Sequence, residues 1–452
     1  MSVVTPASAF ATRRKKLETA LGPTRALFVA GRPRSRNYPA NRYPFRAESH
    51  FLYFVGRPLP EAVLLVTATG STLFTHPPDP EDALWHGPRP SLEHLASELG
   101  LPVRPLAELS DALGDPRDVA TLPPNDDVTA AWLSQLLGRS IEARSGARIT
   151  GQDAQLADLV IAQRLVHDEA AIAQMRHAAS VTRRAHLAGM AATRPGVSEG
   201  EIHAAMQREI LAAGMTNAYG PIVTVHGEVL HHEEHENVVQ EGDLVLADVG
   251  AETREGWAAD VTRTWPVRGR LSATQRAIYE LVLAAQKKAI SMVRPGVRYR
   301  AIHEAAARVL TEGLVELGIL RGAADDLFAR GAYALFFPHG VGHLLGLDVH
   351  DMEDLGDRAG YQEGRVRSTR FGDRYLRLDR DLVPGMAVTI EPGFYVVPAI
   401  LSEPTLVEPF RDVIDFDKLA RFSDVRGIRI EDDVLVTEEE PEVLTEGIPK
   451  EF

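Results

Sequence analysis

Two aspartates lie inside apolar, β-branched runs of this chain, where an isolated carboxylate is costly to bury. Asp248 follows Leu246 and Ala247, and Asp260 precedes Val261 and Thr262. The two aspartates are twelve residues apart, and the segment 252–256 between them has the composition of a turn. A fold that buries both must pair the two runs as a hairpin. Two carboxylates held so near each other need a cation between them, or one of them must stay protonated.

Histidines and glutamates occur in similar settings further along the chain. Three histidines, His339, His343 and His350, fall within twelve residues and are interleaved with glycines. Glycine lets the backbone approach a ligand closely, and imidazole supplies metal ligation or proton transfer near neutral pH. Glu391 ends one apolar run and Glu431 lies inside another. One such residue alone is more often structural, but the set as a whole favours a metal centre.

Composition limits the chemistry of that centre. The chain contains no cysteine, which excludes disulfides, thiolate nucleophiles and cysteine-bound metals. Two Asp, one His and two Glu suit Mn²⁺, Co²⁺ or Zn²⁺, and two divalent ions neutralise four carboxylates where one would not. The residues therefore predict two divalent ions held by oxygen and nitrogen atoms.

Charge and the N-terminal sequence restrict the partners and the compartment. The 49 basic and 63 acidic side chains leave a net charge of −14, which repels nucleic-acid phosphates and anionic lipids. The basic cluster 13–16 follows a short, weakly apolar stretch, the reverse of the order in an export signal. No window approaches the roughly 18 apolar residues of a membrane span. We expect a cytoplasmic protein with no nucleic-acid or membrane partner.

The length of 452 residues exceeds what one core of ordinary size supports, so two domains are expected, 1–160 and 161–452. The first reads as an α/β domain, with strands predicted at 26–31, 51–55, 62–68 and 71–76 and helices near 9–21, 91–99 and 127–138. The proline-rich stretch 76–90 is predicted to be a loop with Trp85 as its only large apolar anchor. In the second domain a long helix begins at Asp168 and stops before Pro195. Beyond it, β-rich runs (244–250 and 386–397) alternate with helices (273–293 and 299–317), as in an α+β or α/β domain.

Four motifs resemble those of the pita-bread metallopeptidases. In chain order they are ADVTRTWPVRG, FFPHGVGHLLGLDVHD, VTIEPGFY and GIRIEDDVLVT. The resemblance is strongest to their proline-specific branch, aminopeptidase P and prolidase. YPFRAESHFLYFVG (43–56) and the loop containing Trp85 are similar to the creatinase-like N-terminal domain of that family, and RLVHDEAAIAQMRHA to its interdomain helix. The implied fold is α+β, with a pita-bread catalytic domain after an α/β creatinase-like domain. Asp248 and Asp260 lie one residue further apart than usual, which we interpret as a longer hairpin turn.

The resemblance also implies roles for individual residues. It makes five side chains the metal ligands: Asp248, Asp260, His343, Glu391 and Glu431. Asp260 and Glu431 would bridge the two ions, and a hydroxide shared by the ions would be the nucleophile. Glu391 would move the proton from that water to the leaving proline nitrogen.

Other residues are implied as substrate contacts. His231 is predicted to be the substrate-side histidine, with His232 as a competitor in the segment HHEEHEN. His339 and His350 would line the cleft and steady the substrate carbonyl or the oxyanion. Arg429 would orient a ligand at the substrate side of the site.

The implied activity is that of an Xaa-Pro aminopeptidase, which acts on peptides with proline at the second position. Mn²⁺ is the first choice of metal, with Co²⁺ or Zn²⁺ as alternatives, and a homodimer or homotetramer is implied. The insertion 361–382 is arginine-rich, and Arg370 is its candidate for holding a substrate carboxylate. That role would favour the alternative, a dipeptide-specific prolidase. A more distant alternative is a pita-bread binding module without enzymatic activity.

Overall fold

The computed structural model describes residues 3–452, which form two compact units. The first unit contains the chain up to Leu165 together with Glu169–Ala171 and Met352–Ala359, and the second contains Val166–Asp168, Ile172–Asp351 and Gly360–Phe452. None of the helices within residues 3–452 combines the length and the apolar character that crossing a bilayer requires.

The first unit is a five-stranded sheet with helices. The strands β1 to β5 are Arg25–Val29, Val63–Thr67, Gly70–Thr75, Val103–Pro105 and Val119–Thr121. The helices α1 to α7 are Ala7–Ala20, Ser49–Val55, Pro80–His86, Leu92–Leu99, Leu109–Leu113, Asp127–Leu137 and Gly151–Arg164. The strand order is β4-β3-β2-β1-β5, and β2 alone runs antiparallel to its neighbours. The apolar side chains of the sheet pack with those of α5 and α6 into one core.

The apolar run 51–55, predicted to be a strand, lies instead in helix α2. All seven residues of α2 are buried. A helix buried on every side has no polar face, so its sequence shows the same continuous apolar run as a buried strand. The strand prediction was wrong because periodicity carries no information in such a run.

The stretch 76–90, predicted to be a loop, contains helix α3. The Asp79 carboxylate accepts a hydrogen bond from the Glu81 N–H and caps the helix. Pro80 is compatible with the first helical position, because that N–H has no partner within the helix. Trp85 is 75% exposed and Leu84 77%, so Trp85 does not anchor the segment within this chain. Both predictions for this stretch were wrong.

The second unit combines short sheets with longer helices. The strands β6 to β15 are Thr216–Asn217, Ile222–Thr224, Leu244–Asp248, Ala251–Glu252, Thr262–Pro266, Ala387–Ile390, Gly393–Tyr395, Gly427–Arg429, Asp432–Leu435 and Glu442–Val443. The helices α8 to α16 are Glu169–Ala192, Glu199–Ala212, Ala273–Ser291, Tyr299–Glu316, Ala324–Arg330, Asp357–Gly360, Pro398–Leu401, Pro404–Val407 and Phe416–Ala420, of which α8 and α13 cross between the units. The sheets are β10-β8-β7, β11-β14-β15, β12-β13 and β6-β9.

The predicted hairpin is present. Strand β8 pairs antiparallel with β10, and Asp248 lies opposite Thr262. The intervening chain makes a further turn, closed by a bridge between Glu252 and Ala258. Gly250 permits this turn, because a Cβ there would come within 1.8 Å of the carbonyl oxygen of Ala259.

Two antiparallel pairings bring the glutamate runs together. In one, β11 pairs with β14 and Ile390 lies opposite Asp432. In the other, β12 pairs with β13 and Gly393 lies opposite Arg429. Glu391 and Glu431 therefore occupy facing positions, each at the point where the chain passes from one sheet to the next.

Candidate metal centre

A cavity of about 420 Å³ in the second unit collects most of the predicted site residues. It is lined by Leu230, His231, Asp248, Asp260, Pro338, His339, Gly340, Gly342, His343, His350, Phe371, Tyr375, Arg377, Glu391, Ile400, Arg429 and Glu431. His232 and Arg370 are not among these lining residues. The cavity is therefore built by six separate stretches of sequence, with the hairpin of Asp248 and Asp260 counted as one, which short strands and loops bring to one place.

Four carboxylates and two imidazoles form overlapping clusters in this cavity. Their potential ligand atoms fall into three groups, with the atoms of each group within 4.8 Å of one another: Asp260, His343 and His350; His343, Glu391 and Glu431; and Asp248, Asp260 and Glu431. His343 Nε2 lies 3.3 Å from Asp260 Oδ2 and 3.6 Å from Glu391 Oε1. A set of hard oxygen donors with borderline nitrogen donors is the chemistry that Mn²⁺, Co²⁺ and Zn²⁺ accept.

The orientation of His343 follows from its backbone contacts. Its Nδ1 lies 2.9 Å from the carbonyl oxygen of Leu344, which can only accept, so Nδ1 carries the hydrogen. Nε2 then presents its lone pair toward the carboxylates, as a metal ligand must. The close approach to β11 requires Gly342, whose φ is 152° and where a Cβ would lie 2.2 Å from the Thr389 carbonyl oxygen.

Hydrogen-bond donors fix the carboxylates from the sides. Asp248 accepts from Tyr219 Oη at 2.7 Å and from Arg429 Nη2 at 2.6 Å. Thr262 Oγ1 donates to Glu431 Oε2 at 2.8 Å and accepts from Arg429 Nε at 2.9 Å. Such contacts orient ligands and hold them ready for a cation.

The electrostatics of the cluster also favour a cation. Burial and the neighbouring charge of Asp248 raise the pKa of Asp260. Burial, reinforced by the charges of Asp260 and Glu391, raises the pKa of Glu431 well above its usual value. Burial likewise raises the pKa of Glu391, although Arg429 opposes that shift. Carboxylates packed this closely resist losing their protons together, and divalent cations remove that penalty.

His339 lies beside this cluster as a neutral imidazole. Burial and the positive charge of Arg429 lower the pKa of His339 to about 3. Its Nδ1 donates to the Gly340 carbonyl oxygen at 2.8 Å and lies 3.7 Å from Glu391 Oε2. Its Nε2, which carries no hydrogen, accepts from Tyr395 Oη at 2.9 Å, and Tyr395 Oη in turn accepts from Arg429 Nη1 at 3.1 Å.

The other predicted histidines differ in position. The His350 ring lies 4.1 Å from that of His343, measured between centroids. Burial and the positive charges of Arg429 and Arg377 lower the pKa of His231, which lines the cavity. His232 stacks on His226 and its Nδ1 contacts the Glu234 carbonyl oxygen. Of the two candidates for the substrate-side histidine, the structure brings His231 to the cavity.

Arg370 does not reach the cavity lining. Its guanidinium contacts Asp373 at 2.7 Å, the Ala329 carbonyl oxygen at 2.9 Å and Tyr333 Oη at 3.2 Å. The arginine of the insertion that lines the cavity is Arg377. Six arginines within sixteen residues gave no sign of which one faces inward, because the insertion has neither helical nor strand periodicity.

Sequence reasoning also missed the hydroxyl groups around the carboxylates. Thr262 and Tyr395 lie inside motifs that were recognised, but only acids and histidines were singled out there. Tyr219 lies outside every motif, and no signal in the sequence links it to Asp248.

The family follows from this geometry together with comparisons with known proteins. Residues 173–438 match the model of metallopeptidase family M24, and residues 10–118 match the aminopeptidase P N-terminal domain. The chain belongs to metallopeptidase family M24. The family and the architecture predicted from the motifs, an aminopeptidase P N-terminal domain before a pita-bread domain, are confirmed, and the requirement for divalent metal follows from the family.

Relatives cover nearly the whole chain. The Xaa-Pro aminopeptidase of Escherichia coli is 32% identical over 98% of this chain and 95% of its own length. A probable Xaa-Pro aminopeptidase of Aspergillus fumigatus is 34% identical over 89% of this chain and 85% of its own. The structure of Pseudomonas aeruginosa aminopeptidase PepP superposes with a TM-score of 0.82 at 32% identity, covering 99% of this chain and 96% of that one.

Proposed function

We propose that this metallopeptidase is an Xaa-Pro aminopeptidase, which releases the first residue of peptides that carry proline at the second position. The observation that carries the proposal is the cluster of four carboxylates and His343 in an open cavity of an M24 chain. The similarity to proteins named Xaa-Pro aminopeptidase over nearly the full length supports the specificity.

The proposed metal ligands are Asp248, Asp260, His343, Glu391 and Glu431. Among the four carboxylates, Asp260 and Glu431 alone belong to two of the three clusters of potential ligand atoms, and a carboxylate has two oxygens with which to bridge two ions. Divalent ions bound there, Mn²⁺ in our proposal, supply Lewis acidity and lower the pKa of water. The ligand set is equally compatible with Co²⁺ and Zn²⁺.

Glu391 is the proposed proton carrier. Its carboxylate lies between the imidazoles of His339 and His343, at 3.7 and 3.6 Å, on the cavity wall. The nitrogen of the scissile Xaa-Pro bond belongs to proline, carries no hydrogen and must gain a proton to leave. A carboxyl group whose pKa burial raises can take the proton of the attacking water and pass it to that nitrogen.

The histidines and Arg429 are proposed to hold the substrate. His231, His339 and His350 line the cavity from two segments, one with His231 and one with the other two histidines. Because His339 is neutral, it can contact a substrate carbonyl without adding positive charge beside the metal ligands. Arg429, which is tied to Asp248 at 2.6 Å, keeps that ligand oriented at the same wall.

One observation favours a second candidate, a dipeptide-specific prolidase. Arg377 of the insertion lines the cavity, and its guanidinium could hold the carboxylate of a dipeptide. In the aminopeptidase the same group would face the backbone of a longer peptide. The two candidates differ in the length of the peptide that is cleaved, and not in the bond.

The test measures cleavage of matched Xaa-Pro-Xaa and Xaa-Pro peptides by the purified protein with Mn²⁺, Co²⁺ or Zn²⁺, alongside elemental analysis. We expect release of the first residue from Xaa-Pro-Xaa. Glu391→Gln should lower kcat by about 10²–10⁴, whereas the exposed control Glu280→Gln should not. Cleavage of dipeptides with tripeptides inert would establish the prolidase. Absence of hydrolysis and of bound metal would leave a binding module.

A homodimer or homotetramer and a cytoplasmic location complete the proposal. The assembly rests on the family resemblance. Sedimentation of the purified protein would measure the assembly directly.

A further inference from the structure

We infer that the segment 445–452 is a positioning element for the metal centre: it fixes Arg263 and Asp432 behind Glu431 and thereby sets the affinity for metal. The inference rests on the proposed role of Glu431 as a ligand. Apart from Glu431 itself, the residues that carry it do not line the cavity.

Arg263 lies in strand β10, and its side chain is fully buried. Its Nη1 donates to the carbonyl oxygens of Glu431 and Thr262, and its Nη2 to Asp432 Oδ1 at 2.7 Å. Its Nε donates to the Pro449 carbonyl oxygen at 3.2 Å. One guanidinium therefore joins the Glu431 backbone to the segment 445–452.

Two other residues of the segment 445–452 contact the side chain of Asp432. Its carboxylate is completely buried and accepts from Gln286 Nε2 at 2.5 Å and from Thr445 Oγ1 at 2.7 Å. Lys450 Nζ pairs with the same carboxylate. Buried ion pairs of this kind hold their geometry, because losing one partner leaves a charge without compensation.

The segment is also tied down by its backbone. Tyr279 Oη in helix α10 donates to the Lys450 carbonyl oxygen at 2.9 Å, and its ring packs edge-on against Phe452 at 5.9 Å. Lys450 is therefore held at both its carbonyl group and its ammonium group.

The position of Arg263 affects Glu431 through the hydrogen bonds of Thr262. The Glu431 N–H donates to the Thr262 carbonyl oxygen at 3.0 Å, and Thr262 Oγ1 donates to Glu431 Oε2 at 2.8 Å. Thr262 directly precedes Arg263 and its carbonyl oxygen accepts from the Arg263 guanidinium. A shift of that guanidinium therefore displaces the carbonyl oxygen and the hydroxyl of Thr262, the two groups that bind Glu431. Contacts one step behind a ligand commonly change metal affinity when they are removed.

The experiment titrates metal-free protein with Mn²⁺ by calorimetry. Lys450→Met removes the ammonium group and keeps the aliphatic stem, and we expect Mn²⁺ to bind about 10–100-fold more weakly. Lys450→Arg should recover most of the affinity. Lys288→Met is the matched control, because Lys288 is exposed on helix α10 and belongs neither to the segment 445–452 nor to the residues that hold Asp432.

The melting temperature of each metal-free variant is measured in parallel. A Mn²⁺ affinity of Lys450→Met within twofold of that of Lys288→Met overturns the inference. If Lys450→Met does not fold, Tyr279→Phe answers the same question, and it should weaken Mn²⁺ binding in the same direction by a smaller factor. Wild-type affinity in Tyr279→Phe would then overturn the inference. Glu431→Gln separates the two proposals: wild-type affinity in that variant refutes the ligand assignment itself.

Discussion

Arginines of the insertion differ sharply in what their side chains contact. Arg370 is bound to Asp373, Tyr333 and the Ala329 carbonyl oxygen, so its charge serves the folding of the insertion. Arg377 lines the cavity, and with burial and Arg429 it lowers the pKa of His231. At the residue scale, the charge of Arg370 therefore has a structural use, whereas that of Arg377 is proposed to contact the substrate.

Substituting these two arginines should separate the uses. Arg377→Met should raise KM for the cleaved peptide several-fold, because Arg377 lines the cavity. Arg370→Met should leave KM unchanged and lower the free energy of unfolding by about 1 kcal/mol, since its partly exposed ion pair is screened. Steady-state kinetics and urea unfolding check both. An increase of KM in Arg370→Met alone would reverse the assignment.

The elements that carry the site were partly predictable. Asp248 and Glu391 stood out because a carboxylate inside an apolar run has few structural uses, and strand pairing then brings such residues together. Helix α2 was not predictable from pattern, since its seven residues are all buried. Helix α3 exposes Leu84 and Trp85, so it lacks the apolar face by which surface helices are recognised. The inward arginine depends on the path of an insertion that has no repeat.

The close packing of the loop at Gly342 against strand β11 can be tested by substituting this glycine. Gly342→Ala places a Cβ against the Thr389 carbonyl oxygen of β11, and His343 and Glu391 lie on either side of that contact. Overpacking and backbone strain should each cost about 1–3 kcal/mol, and Mn²⁺ affinity should fall at least tenfold.

The control for that substitution is Gly296→Ala, where φ is 80° and nothing lies within 4 Å of the added Cβ. Gly296→Ala introduces the backbone strain without the clash. Its free energy of unfolding should therefore fall by about 1 kcal/mol, and its Mn²⁺ affinity should stay unchanged. Equal Mn²⁺ affinities in the two variants would mean that the approach of residue 342 to β11 does not position the ligands.

At the scale of the whole molecule, each unit has a hydrophobic core of its own. Leu27, Phe74 and Leu133 belong to the core of the first unit, and Val223 and Val245 to a core of the second. All of the proposed metal ligands lie in the second unit. Units with separate cores can unfold in separate transitions, so metal should act on one transition and not on the other.

Differential scanning calorimetry of the metal-free and Mn²⁺-loaded protein can show this. An ion present at 100 times its dissociation constant stabilises the folded state by about 2.7 kcal/mol, which corresponds to a shift of roughly 5–10 °C for a unit of this size. We expect the transition of the second unit to move upward and that of the first to stay in place. Asp248→Asn should reduce the shift, because it weakens the binding that produces it. A single transition that Mn²⁺ displaces as a whole would contradict this expectation, because it would show that the two units unfold together.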